Sequence, residues 1–166
     1  MSDDLLAIYL TDHLAGATAG SKRMRRLADH ERSAADGATL ATIATDIEQD
    51  RATLADVLDA ARVSPRWYKT ATAWLAEQAG LLKANGPLTR RSPLTSVVEL
   101  EFMCMGVVGK MALWESLKHT DLSERFDFDD LLERATRQLQ GLQTAHRARA
   151  PVVGERPPRR PPQPTP

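Results

Sequence analysis

The chain is poor in cysteine, aromatic residues and net charge, and it has almost no proline before residue 151. A single cysteine, Cys104, excludes an intramolecular disulfide framework and a zinc site built from cysteines. Basic and acidic side chains number 22 each. That balance leaves no surplus for gripping a phosphate backbone, so no nucleic-acid partner is expected. Long apolar runs are missing as well. The best candidate, Val97 to Trp114, is interrupted by Glu99, Glu101, Gly106, Gly109 and Lys110, which is too polar for a bilayer. The opening Met1-Ser2-Asp3-Asp4 is acidic where a secretory signal is basic. No membrane association is expected, and the expected location is the cytoplasm.

Proline divides the 166 residues. Of ten prolines only Pro65, Pro87 and Pro93 precede residue 151, and the rest crowd into PVVGERPPRRPPQPTP. The expected organisation is one helical domain over 1–149 and a proline/arginine-rich disordered tail over 150–166, since such a segment cannot sustain a helix. Arginine outnumbers lysine and alanine is abundant, as in bacterial proteins from GC-rich genomes.

What the body contains is helical periodicity. Leu6, Leu10, His13, Ala17, Gly20, Met24 and Leu27 recur at three- and four-residue steps, which predicts a helix over about Asp3 to Glu31. After a break at Ala34-Ala35-Asp36-Gly37, Leu40, Ile43, Ile47, Leu54, Val57 and Ala61 predict a second helix ending before Ser64-Pro65. Two long helices joined by a short break form an antiparallel hairpin. A shorter helix is expected from Pro65 to Ala84, its stripe including Trp67, Trp74 and Leu81. Ser92-Pro93 is a good start for the next helix, which runs to about His119. The last helix opens at a capping box Asp121-x-x-Glu124 or at Asp127 or Asp129, with Phe128, Leu132, Ala135, Leu139 and Leu142 as its stripe. No segment alternates with a period of two, so no sheet is expected.

Two hairpins joined by a long connection make an all-α four-helix bundle of ferritin-like topology, with a short extra helix in the crossover. The stretches LLAIYLTDHLAGATAG, WLAEQAGLLKANG, RRSPLTSVVELE and GVVGKMALWESL resemble an uncharacterised bacterial family with a ferritin-like fold. The resemblance spans roughly residues 3–149. It implies a four-helix bundle and, in metal-binding members of the wider class, a di-iron centre.

That chemistry needs a Glu from each of two helices and Glu-x-x-His from each of the other two. The four histidines are His13, His30, His119 and His146, and three residues before them stand Leu10, Leu27, Ser116 and Gln143. Glu-x-x-His is absent, so no metal site and no cofactor are expected. The second helix carries Glu48-Gln49-Asp50-Arg51, where arginine replaces the histidine. A guanidinium stays protonated and cannot ligate iron, but it can neutralise carboxylates. Asp12, His13, Glu48, Arg51 and Glu101 are the candidate polar cluster on this reading; a solvated surface pair is the plainer role for Glu48 and Arg51. Polar interruptions of the apolar stripes occur at His13 and at Asp50-Arg51. Glu115 and His119, four residues apart, offer only two ligands.

Other chemistry is thin. His13 beside Asp12 and Tyr9 has the composition of a proton-transfer group, but a hydrogen-bonded core histidine is the favoured role. No nucleophile elbow, Walker sequence or dinucleotide fingerprint is present. Cys104 lies among apolar residues, where a thiol is inert. Gly16 and Gly20, and likewise Gly106 and Gly109, put small residues one turn apart in two helices. Close helix approach is the favoured role, and a ligand cavity is the other. The composite expectation is a non-catalytic bundle, an interaction or structural protein with a protein partner or homo-oligomeric contacts. A metal-binding or redox-active protein with unusual ligands is the alternative, and a binder of a small apolar ligand in the glycine-lined interior is a third reading.

Overall fold

The computed structural model describes residues 2–63 and 93–154. The helix expected over 65–84 and residues 155–166 of the expected tail lie outside them. The described chain is all-helical, with α1 at Ser2–His30, α2 at Gly37–Ala60, α3 at Pro93–Leu117 and α4 at Phe128–Arg149. Short 3-10 turns occupy Asp121–Glu124 and Ala150–Gly154, the latter being the start of the expected tail. No strand occurs among the described residues. No helix there is long and apolar enough to cross a membrane.

Local chemistry explains the helix ends. Asp127 caps α4, its carboxylate accepting a 3.0 Å hydrogen bond from the Asp130 amide. Asp121 and Glu124 belong instead to their own 3-10 turn, in front of which the Thr120 hydroxyl accepts from the Leu122 amide. Asp36 stands at the N-cap of α2 but makes no capping bond with its side chain. Its carboxylate is held by Arg149 at 2.7 and 2.9 Å.

Shared clusters fix how the helices run. Leu10 and Leu14 near the start of α1 pack with Leu117 at the end of α3, with Leu58 at the end of α2 and with Phe128 at the start of α4. At the other end Ser96 donates to Glu31, and Arg149 reaches both Glu31 and Asp36. Thus α2 and α3 run parallel, while α1 and α2, α3 and α4, α1 and α3, and α2 and α4 are antiparallel neighbours. The residues before 64 and after 92 therefore sit at opposite ends of the bundle, about 36 Å apart for a helix of this length.

The core falls into two apolar compartments. One gathers Met24, Leu27, Leu40, Ile43, Leu100, Met103 and Leu142 at the end where α1 turns into α2. The second gathers Leu10, Leu54, Val57, Leu58, Leu113, Trp114, Phe128 and Leu131 at the opposite end. Each fully buried side chain of this size contributes about 1.5–3 kcal/mol, so the two compartments hold the helices together. Two stripes differ in phase from expectation. On α4 Leu131 and Gln138 are buried while Leu132 and Leu139 are only half-buried, because Gln138 turns inward to a buried aspartate. On α1 Ala7, Thr11, Leu14 and Ser21 face the core, and His13, Ala17 and Gly20 are half-buried at the edge of that face. That edge borders a cavity.

Candidate functional site

Between the two apolar compartments lies a layer of polar side chains. Asp50 of α2 is 2% exposed. One of its oxygens meets the Lys110 ammonium from α3 and accepts from the Gln138 amide at 2.9 Å. Its other oxygen lies 2.6 Å from the Arg134 guanidinium of α4. Lys110 also donates to the Gln138 carbonyl, closing a ring across three helices. Burial pushes the Lys110 ammonium below its ordinary value, and the Asp50 charge opposes that shift.

Each of these residues occupies a core slot of its helix. Asp50 completes the series Ile43, Ile47, Leu54, Val57 on α2, and Lys110 sits between Val107 and Trp114 on α3. Gln138 lies between Ala135 and Leu142 on α4. Spacing therefore carried a signal for all three, and Asp50 stood out as a polar interruption. Lys110 and Arg134 escaped notice because long basic side chains usually reach solvent from such positions.

Beside this layer, on the α1 side, is a cavity of about 400 Å³. Gly16, Ala17 and Gly20 of α1 and Gly106 and Gly109 of α3 line it, with Gly16 and Gly106 exposed at its open side. Leu54, Met103, Val107 and Leu113 supply most of its apolar wall, and Asp50 and Lys110 reach it from the polar layer. Among the described residues no heavy atom lies within 4 Å of where a Cβ would stand on Gly16, Gly20, Gly106 or Gly109. Against the described residues these glycines make no close helix approach, the role favoured for them. The tight glycines are elsewhere: a Cβ on Gly141 would stand 2.7 Å from Ile43 Cδ1, and one on Gly37 only 2.5 Å from the Arg32 carbonyl oxygen.

The five residues of the expected polar cluster are distributed over this site and its surroundings. Asp12, His13 and Arg51 line the cavity. His13 is half-buried with its ring 4.6 Å from that of Tyr9, and burial pushes its imidazole below the ordinary value, opposed by the Asp12 charge. Glu48 accepts two bonds from Arg51, at 2.7 and 3.0 Å, with both side chains about one-third exposed. The hydrogen bond from Arg51 holds the Glu48 carboxyl below its usual range. Glu101 stands apart, exposed, 3.2 Å from the His146 imidazole of α4. Arg51 thus answers Glu48 at the edge of the cavity, and the buried carboxylate of the bundle is its neighbour Asp50.

Among the described residues no group of three or more histidine, cysteine, aspartate or glutamate side chains is placed to hold a metal ion. The Cys104 thiol is half-buried, and burial pushes it up, away from the reactive thiolate. What the arrangement offers chemically is an apolar chamber with a few fixed polar points. Compared with known proteins, the chain matches no family model, no curated protein and no solved structure.

Proposed function

We propose that this chain is a non-catalytic, ferritin-like helical bundle that acts by binding, and that the cavity between α1 and α3 receives a small, largely apolar molecule. The observation that carries this reading is the set of four mid-helix glycines at the cavity with no described atom where their side chains would be. Each costs its helix about 1 kcal/mol relative to alanine, and none is offset by close packing on a described neighbour. The space they leave is within the range of small-molecule sites, which are mostly apolar with a few placed polar groups. The parallel run of α2 and α3 supports the ferritin-like reading, since a parallel return needs a long crossover. In metal-loaded bundles of that plan the middle level carries carboxylates and histidines. Here that level carries Asp50 together with two cations, Lys110 and Arg134, which oppose the entry of a metal ion.

The test uses the full chain and the uncharged fluorophore N-phenyl-1-naphthylamine. Saturable binding is expected, weakened about tenfold or more by Gly16→Leu and Gly106→Leu, and untouched by Ala38→Leu on the exposed side of α2. No saturable binding, or binding indifferent to both glycine substitutions, overturns the proposal. Elemental analysis showing a stoichiometric transition metal in gently purified protein overturns its non-catalytic part.

A further inference from the structure

α3 carries apolar residues on both its faces. Val97, Leu100, Met103, Val107 and Trp114 fill the core, and along the outer side run Val98, Phe102, Met105, Gly109, Ala112 and Ser116. These outer residues are exposed or, at Gly109, half-buried, and Met105 is 60% exposed. A helix that is hydrophobic all round is one that is covered all round. The outer residues also recur at alternating four- and three-residue steps, which is the seam of a helix that pairs with another. Large side chains occupy the first half of this seam and small ones the second.

Such a seam fits itself in one direction. Laid antiparallel on a second copy about the level of Val107, it sets Phe102 against Ala112, Met105 against Gly109 and Val98 against Ser116. Each larger residue then meets a smaller one, and each pair occurs twice, as a two-fold axis requires. Met105 is flexible and adapts to the surface beneath it. Parallel pairing sets Phe102 on Phe102 and Gly109 on Gly109, which splays one end of the contact and leaves the other empty.

α1 points independently to the same axis. Its side of this face carries Asp12, Gly16, Ala19 and Arg23, again at four- and three-residue steps, with the acidic and the basic residue at opposite ends of the run. Arg23 lies over the Phe102 ring, 5.3 Å from its centroid, and the Tyr9 hydroxyl donates to that of Ser116 at 3.3 Å, so both runs belong to one face. Those two contacts place Val107 level with Thr18, and the midpoint of Asp12 and Arg23 falls between Ala17 and Thr18. The rotation that matches large to small on α3 therefore also brings Asp12 against Arg23 of the second copy, at both ends of the contact.

We infer that this chain forms a two-fold dimer through its α1–α3 face, with a second copy seated antiparallel on α3 and Asp12–Arg23 pairs joining the two α1 helices. This goes beyond the ligand reading and does not rest on it; the cavity opens on the same face, so the second copy covers its mouth. The apolar seam supplies affinity, and the paired charges fix the register.

Sedimentation velocity of the full chain across the micromolar range tests this. A dimer is expected, weakened about a hundredfold by Met105→Glu, which puts a charge into the seam of each copy. Asp12→Lys and Arg23→Glu each set like charges against one another, and each is expected to weaken self-association about tenfold. Mixed in equal amounts the two variants are expected to dimerise as the unsubstituted chain does, because each then meets the opposite charge on the other. A dimer indifferent to Met105→Glu pairs through another face, and a mixture no tighter than its components denies the Asp12–Arg23 contact; either result overturns the inference. So does a monomer at every concentration, and there a melting temperature lowered by Met105→Glu assigns the cover of this face to residues 64–92 of the same chain.

Discussion

Asp50 and Arg51 are adjacent in sequence and differ completely in circumstance. Asp50 is buried between cations from two other helices, while Arg51 and Glu48 are partly solvated on one helix. Asp50→Ala strands the buried Lys110 ammonium and most of the Arg134 guanidinium, and is expected to cost about 3–5 kcal/mol. Arg51→Met removes a part-exposed pair and is expected to cost under about 1 kcal/mol. Urea denaturation midpoints of the two variants check both, and reversal of their order contradicts the structure. His13 adds a pH dependence. Because burial holds its folded value below the ordinary 6.5, the unfolded chain takes up the proton first as pH falls. Its contribution is therefore complete above pH 6.5 and shrinks on acidification towards the lowered folded value. His13→Gln is expected to flatten the fall in denaturation midpoint between pH 7.5 and 5.5. At this scale the sequence showed which polar residues interrupt the apolar stripes, but not which carboxylate of Glu48-Gln49-Asp50 turned inward. The phase of a stripe is broad enough to admit either neighbour until a partner such as Gln138 selects one.

Helices meet their ends through groups far apart in the chain. Arg149, in the last turn of α4, donates to both oxygens of Asp36 and to Glu31 at 2.9 Å, so it ties α4 to the turn between α1 and α2. The hydrogen bond from Arg149 keeps the Asp36 carboxyl below its usual value, and the Arg149 guanidinium is shifted upward in turn. Arg149→Leu takes the guanidinium away from Asp36 and Glu31, and a loss of about 2 kcal/mol is expected. In the unsubstituted protein the Asp36 contribution is lost only as pH falls through that lowered value; in Arg149→Leu the Asp36 titration is expected to move upward, visible by carboxyl NMR. The start of α2 is tighter still. A Cβ on Gly37 would collide with the backbone carbonyls of Arg32 and Glu31, so Gly37→Ala is expected to destabilise by about 1–3 kcal/mol in thermal denaturation. Helix extents were legible from periodicity and from Pro93 and Asp127. That Asp36 serves Arg149 rather than capping its own helix was not, because the two residues are joined only by the packing of the hairpins.

At the scale of the whole molecule, the described helices join two apolar compartments through a polar layer and leave a cavity beside it. Alanine at Gly16 or Gly109 adds helix propensity and meets no described atom, so each substitution is expected to stabilise by about 0.5–1 kcal/mol. Had these glycines mediated close approach, the same substitutions would destabilise, and a melting experiment separates the two. Periodicity by itself determined that the described residues are helical, where their long helices lie and that no strand occurs among them, because those properties follow from spacing along one segment. The absence of Glu-x-x-His was likewise a property of the string. The burial of Asp50 with Lys110, Arg134 and Gln138 was decided only by the tertiary structure, and so was the space facing the glycines. Both depend on what stands opposite a residue, and that is set by how separate helices are brought side by side.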